Sequence, residues 1–199
     1  MTSPTLARAL VPVLLLAAVP TAAAESPDLA RLRIHLSAVQ TMTGQFTQTD
    51  DKGHVDTGTL QMKRPGRIRF AYTGGDVLLV ANGKSLTFLD YTVGQKSSWP
   101  LGRTPLGPLL SSSPDFNGKA EILPSNDNRV VVARAKSASQ YGQLTLAFLR
   151  NGSAPGGLQL YGWTAIDPQG HRTTVRLSDV RFNVAVPDAA FSYVEPRKK

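Results

Sequence analysis

Gly44-Gln45-Phe46-Thr47-Gln48, Lys63-Arg64-Pro65-Gly66, Ile68-Arg69-Phe70-Ala71-Tyr72 and Val80-Ala81-Asn82-Gly83-Lys84-Ser85-Leu86-Thr87-Phe88-Leu89-Asp90 punctuate residues 43–95. The stretch reads as short strands joined by tight polar turns. Leu60 and Met62 share one face, and Ile68, Phe70 and Tyr72 share a face opposite Arg67 and Arg69, because successive side chains of a strand point to opposite sides. Residues 77–81 are apolar on both faces, which predicts a central strand covered on each side. Asn82-Gly83 is then the expected two-residue hairpin turn into residues 86–89.

The pattern continues downstream. Residues 129–135, 143–149, 158–166 and 173–182 read as further strands, separated by Asn126-Asp127-Asn128, Asn151-Gly152 and Pro168-Gln169-Gly170, and residues 191–194 read as a short last strand after Pro187. Strands in sequence with short turns favour one large antiparallel sheet, curved or closed, over parallel units with crossover helices.

Upstream of the sheet one helix is legible. Ser26 is a good N-cap, Pro27 suits the first helical position and Asp28 complements the helix dipole. Leu29, Leu32, Leu36 and Val39 repeat at helical spacing, and the helix is expected to end within residues 41–44. These leucines either close a core or form part of a lid over a cavity. Farther upstream, Arg8, the apolar run 9–19, Pro20 and Ala22-Ala23-Ala24 have the order of a secretory signal, which predicts residues 1–24 as a signal peptide, residues 25–199 as one domain and an exported address. No stretch approaches the roughly 18 apolar residues of a spanning helix.

Loss of the signal removes one charge, Arg8, so the net charge of +8 becomes +7 over 175 residues. That excess favours solubility or contact with an anionic membrane or acidic partner; export and the lack of interleaved basic and aromatic clusters argue against nucleic acid. There is no cysteine, hence no disulfide framework and no lipid anchor on a cysteine.

Between Trp99 and Ala120 the alternation fails. Thr104-Pro105-Leu106 can start a helix, Gly107 and Pro108 weaken it, and Ser111-Ser112-Ser113-Pro114 ends it. Leu101, Leu106, Leu109 and Leu110 on such a segment are either loop anchors or the movable wall of a site.

Catalytic signatures are weak throughout. Gly83-Lys84-Ser85 resembles the end of a phosphate-binding loop, but Leu78 stands where that loop needs glycine. His35, His54 and His171 lack paired metal-ligand spacing and are expected at the surface. Glutamate occurs only at 25, 121 and 195, the aspartates mostly fall in turns, and no Gly-x-Ser-x-Gly elbow supplies a nucleophile. The expectation is a binding protein without enzymatic activity, metal or cofactor.

Phe46 and Gln48, Lys63-Arg64-Pro65, Phe70, Val80, Asn82-Gly83-Lys84, Leu86 and Gln95, with looser matches at Thr104-Pro105-Leu106, Phe191 and Val194, resemble in order and spacing the LolA family of periplasmic lipoprotein carriers. The resemblance implies a mainly β fold, an unclosed antiparallel β-barrel whose apolar concave face is covered by N-terminal and mid-chain helices. It implies acyl chains held between sheet and lid in a periplasmic monomer, loaded by an ATP-driven inner-membrane release complex of the ABC type and unloaded at an outer-membrane receptor or membrane surface. It also gives Arg64, by position, the role of a lid latch. Phe70, where the family often has tryptophan, and Thr87, where it often has an aromatic, point to a cavity of different shape.

On this reading Ile68, Phe70, Tyr72, Leu78, Val80, Leu86 and Phe88 line the cavity, and Leu29, Leu32, Leu36, Leu106, Leu109 and Leu110 form the lid. Alternation places Leu78 and Val80 opposite Val77 and Leu79, so only one of these pairs can face it. A lipid carrier or lipoprotein sensor on the same scaffold is the alternative, and an exported hydrolase with acids or histidines converging in one pocket is the third reading.

Overall fold

The computed structural model describes residues 25–104, 106–112, 120–135 and 142–197. The signal-peptide reading of residues 1–24 lies outside them, as do Ser113 and Pro114. Helix α1, Pro27–Ala38, begins as its sequence predicts: the Ser26 hydroxyl oxygen accepts from the Leu29 amide at 3.2 Å. Asp28 in its first turn takes a two-pronged ion pair from Arg150, at 2.7 Å on each oxygen. Hydrogen bonding to Arg150 holds that carboxyl below its ordinary pKa.

The helix stops earlier than expected, because residue 41 already belongs to a strand. No glycine caps it. Asn183, in the left-handed conformation at φ 54°, donates to the Ala38 carbonyl at 3.0 Å and accepts from the Gln40 amide at 2.9 Å. A residue far along the chain thus satisfies groups that a local cap would otherwise serve.

Eleven strands follow among the described residues: β1 Thr41–Thr49, β2 Val55–Lys63, β3 Arg67–Tyr72, β4 Val77–Asn82, β5 Ser85–Asp90, β6 Gln95–Pro100, β7 Ala120–Leu123, β8 Val130–Ala135, β9 Gln143–Arg150, β10 Leu158–Ile166 and β11 Arg172–Phe182. They form one antiparallel sheet in the order β6-β5-β4-β3-β2-β1-β11-β10-β9-β8-β7. Two meanders, β1–β6 and β7–β11, are joined by the long-range pair β1–β11, with Phe46 opposite Leu177. The ends β6 and β7 do not pair, so the sheet is unclosed.

Two sequence expectations about the strands need correction. The two-residue turn between β4 and β5 is Gly83-Lys84, one residue later than Asn82-Gly83, since Ala81 pairs with Leu86 and Gly83 takes φ 104°. Asn82 closes the turn with its side chain, accepting from the Lys84 and Ser85 amides at 3.3 Å. Residues 191–194 form no strand: a 3-10 turn, Asp188–Phe191, packs across the sheet, and the Arg69 guanidinium donates to the Ala190 and Ser192 carbonyls at 3.3 and 3.1 Å. Strands β6 and β7 escape the alternation pattern altogether.

The sheet carries a core on each face. The larger contains Leu32, Leu36, Val39, Phe46, Leu60, Ile68, Phe70 and Ala81 with the inward residues of β8–β11. The smaller contains Leu78, Val80 and Leu89, covered by Val186 and Phe191 of the C-terminal segment. The expected double cover of residues 77–81 is therefore present. Lys63 and Arg67 both pair with Asp188, at 2.6 and 2.8 Å, and tether that segment.

Candidate functional site

Helix α1, the single turn α2 (Gly107–Leu110) and the sheet meet around an apolar cavity of about 50 Å³. Its walls include Leu36 and Val39 from the helix end, Leu106, Leu109 and Leu110 from the mid-chain segment, and Met62, Ile68, Leu146, Phe148 and Trp163 from the strands. Two segments separated by some seventy residues of chain thus close over one face of the sheet. Leu106 and Trp163 also belong to a second, more open cavity of about 660 Å³, walled by Phe70, Tyr72, Leu79, Leu86 and Phe88 and rimmed by Gln48, Trp99, Arg103, Asp167 and His171.

Pairing register decides which side chains face these cavities. Ile68 lies opposite Ala81, Phe70 opposite Leu79, Leu79 opposite Phe88 and Ala81 opposite Leu86. Directly paired residues share a face, so Ile68, Phe70, Tyr72, Leu86 and Phe88 stand on the helix-covered side. Leu78 and Val80 do not: they point into the smaller core, and Leu79 takes the place expected of them. Thr87 pairs with Val80 on that other face, where its hydroxyl meets Ser98 at 3.1 Å, so its departure from an aromatic does not shape the cavity. Of the expected lid residues, Leu36, Leu106, Leu109 and Leu110 line the smaller cavity. Leu32 is fully buried in the core and Leu29 packs against it.

Phe46 organises the aromatic floor, with ring centroids 5.4 Å from Phe70 and 5.1 Å from Tyr72 in edge-on contact, and Phe70 stands 5.9 Å from Trp163. Phe46 lies directly across from Gly58, where an added Cβ would fall 2.2 Å from the Ala71 carbonyl oxygen and 2.7 Å from the Phe46 ring. The Tyr72 hydroxyl donates to Gln48 at 2.9 Å, and burial pushes its pKa up.

Arg64 sits at the junction of sheet, α1 and α2. It is 8% exposed, its Nη1 donates to the Leu36 carbonyl, its backbone amide donates to Gln40 at 2.9 Å, and its Nε has no partner. The Leu110 carbonyl is satisfied by the Gly66 amide at 2.7 Å, so the turn grips both helical segments through separate donors. Burial pulls the guanidinium pKa down to about 10, which leaves Arg64 a cation at neutral pH.

His35, expected at the surface, instead lines the smaller cavity. It is buried, its Nδ1 lies 2.9 Å from the Pro155 carbonyl oxygen, and its ring is edge-on to Phe148 and Phe182 at 5.3 Å. The 3-10 turn Pro155–Gly157 presses against α1 and covers it; a Cβ on Gly156 would come within 2.7 Å of the His35 amide. Desolvation lowers the His35 pKa. His54 and His171 are exposed as expected and pair with Asp50 and Asp51 at 2.9 and 2.8 Å. Among the described residues no cluster of three or more His, Asp or Glu is arranged to hold a metal ion.

The chain matches the model of the family described as outer membrane lipoprotein carrier protein LolA over residues 37–194. It is 30% identical over 206 residues to the outer-membrane lipoprotein carrier protein of Pseudomonas fluorescens, covering 96% of each chain. To that of Chromobacterium violaceum it is 28% identical over 192 residues, covering 88% of this chain and 87% of the relative. Among solved structures, a LolA superfamily protein from Nitrosomonas europaea superposes with a TM-score of 0.45 at 11% identity, over 83% of this chain and 97% of that one.

Proposed function

The chain belongs to the LolA family of outer-membrane lipoprotein carrier proteins, a family of periplasmic, non-enzymatic carriers, and from that premise we propose that it shuttles lipoproteins from the inner to the outer membrane with their acyl chains between sheet and lid. Burying a methylene is worth roughly 0.8 kcal/mol, so a triacylated anchor of about 45 methylenes resists exposure to water by some tens of kcal/mol. A carrier must offer an apolar space of matching capacity and must also let go. The observation that carries this reading is the convergence of α1, α2 and the sheet on one apolar cavity, with Arg64 buried at their junction.

A space of about 50 Å³ admits little more than a few water-sized groups. Acyl chains enter when the end of α1 and Leu106, Leu109 and Leu110 swing away from Ile68 and Trp163, which breaks the Arg64–Leu36 contact and joins the small cavity to the larger one. Lid closure then competes with cargo: the Arg64 bond to Leu36 returns on release, so the empty closed state helps drive unloading. The chain brings no nucleotide-binding loop, and loading draws on an inner-membrane ABC-type release complex. The exported form begins after residue 24. Depleting the protein is expected to strand outer-membrane lipoproteins at the inner membrane; unchanged lipoprotein distribution after depletion would overturn the assignment.

A further inference from the structure

The larger cavity opens at a corner of the sheet whose composition differs from the rest of its rim. Trp99, on edge strand β6, pairs with Leu86 and so stands on the cavity face. Yet it is 48% exposed, and its side chain makes no hydrogen bond or ring contact among the described residues. Trp163, the other tryptophan of the chain, is buried against Phe70. Single exposed apolar residues are ordinary, but Trp99 continues the apolar wall of Leu86 and Phe88 out to solvent.

Two cations flank it. Arg103, in the 3-10 turn Leu101–Arg103, lines the same cavity and is exposed. Lys84, exposed in the β4–β5 turn, is held alongside because its carbonyl accepts from the Leu101 amide at 2.8 Å. Neither forms an ion pair among the described residues, and residues 91–112 contain no Asp or Glu. Asp167, the acid on the cavity rim, lies in the loop after β10, at the opposite end of the strands. Pro100 ends β6 without an amide to donate, which disfavours addition of a partner strand at this corner.

We propose that Trp99, Arg103 and Lys84 form a bilayer-docking tip, with the indole entering the headgroup layer of an anionic membrane and the two cations meeting lipid phosphates. Tryptophan combines an apolar body with one polar N–H and partitions to that layer, and basic side chains near an anionic leaflet add an attraction that salt screens. Docked this way, the mouth of the larger cavity meets the membrane surface directly. The purpose of the contact rests on the carrier reading, but the contact itself belongs to the cargo-free protein.

The test is flotation of purified cargo-free protein with phosphatidylcholine vesicles prepared with and without phosphatidylglycerol, read together with tryptophan emission. Wild type should float with the anionic vesicles and shift its emission to the blue. Trp99→Ser should bind roughly tenfold more weakly and lose the shift, while Arg103→Gln and Lys84→Gln should each weaken binding about fivefold and flatten its salt dependence. Unfolding midpoints should match wild type in all three. Absence of wild-type binding, or Trp99→Ser binding as tightly as wild type, overturns the proposal. If wild type fails to bind vesicles while its depletion still strands lipoproteins at the inner membrane, docking falls and the carrier assignment stands.

Discussion

The Arg64 guanidinium donates through Nη1 to the carbonyl oxygen of Leu36, joining the turn between β2 and β3 to the last turn of α1. The bond satisfies a carbonyl that the helix itself leaves free. It does so from a buried position where the Arg64 Nε finds no partner, so the charge is held in place by packing and by few polar contacts. A contact of this kind is strong while closed and costly to leave half-made.

Arg64→Leu removes that charge-assisted bond, worth roughly 1.5 to 3 kcal/mol, and on the carrier reading is expected to shift the lid toward open. The variant is expected to accept lipoprotein as well as wild type or better and to pass it slowly to the acceptor membrane. In vitro transfer between donor and acceptor membranes measures both steps, and wild-type transfer by Arg64→Leu would remove the latch from the account.

Leu78 and Leu79 are neighbours with opposite duties. Leu79→Glu puts a charge into the larger cavity and should abolish cargo loading with the fold retained, by circular dichroism. Leu78→Ala hollows the smaller core, costing about 2 to 5 kcal/mol in urea unfolding, with loading preserved below the transition. The reverse pattern would mean that the two faces have been exchanged.

Gly58→Ala should destabilise although the residue is in a strand, because its Cβ would strike the Ala71 carbonyl oxygen and the Phe46 ring. A loss of about 1 to 3 kcal/mol in unfolding free energy, measured by denaturant titration, is expected. A companion Phe46→Leu change should recover part of it; no recovery would place the strain on the backbone alone.

Folding lowers the His35 pKa by desolvation. Below pH 6.5 the unfolded chain therefore binds more protons than the native one, so stability falls as pH drops from 6.5 and levels off below the native value. His54 and His171 shift upward through hydrogen bonds to Asp50 and Asp51, which has the opposite sign. Both are exposed, and solvent screening keeps their weight small. The lowered carboxyl of Asp28 acts only below 3.8. Thermal melts from pH 7 to 5 should show a decline that His35→Gln flattens, and an unchanged slope in that variant would contradict it.

Strands β2 to β5 were legible because each has a buried face, and burial writes a period of two into the sequence. The exposed edge strand β6, Gln-Lys-Ser-Ser-Trp-Pro, lacks that face and its signal. The last residues misled for a related reason: Phe191 and its apolar neighbours pack across the outer face of β3 and β4, and no strand pairs with them. In the candidate site, the leucines of residues 106–110 and Arg64 were readable from position. The burial of His35 was not, since the turn at Pro155 that covers it lies 120 residues away.

By itself the sequence determined which residues share a face, where α1 starts, that a short, weak helical turn falls before Ser111, and that the chain follows the LolA pattern. All of these depend on neighbours within a few positions or on an ordered series of motifs. The tertiary structure decided that Leu79 faces the cavity and Leu78 the second core, that β1 pairs with β11, and that Asn183 ends the first helix. Alternation is symmetric between the two faces of a strand. Only cross-strand register, and the different segments packed on either side of the sheet, break that symmetry.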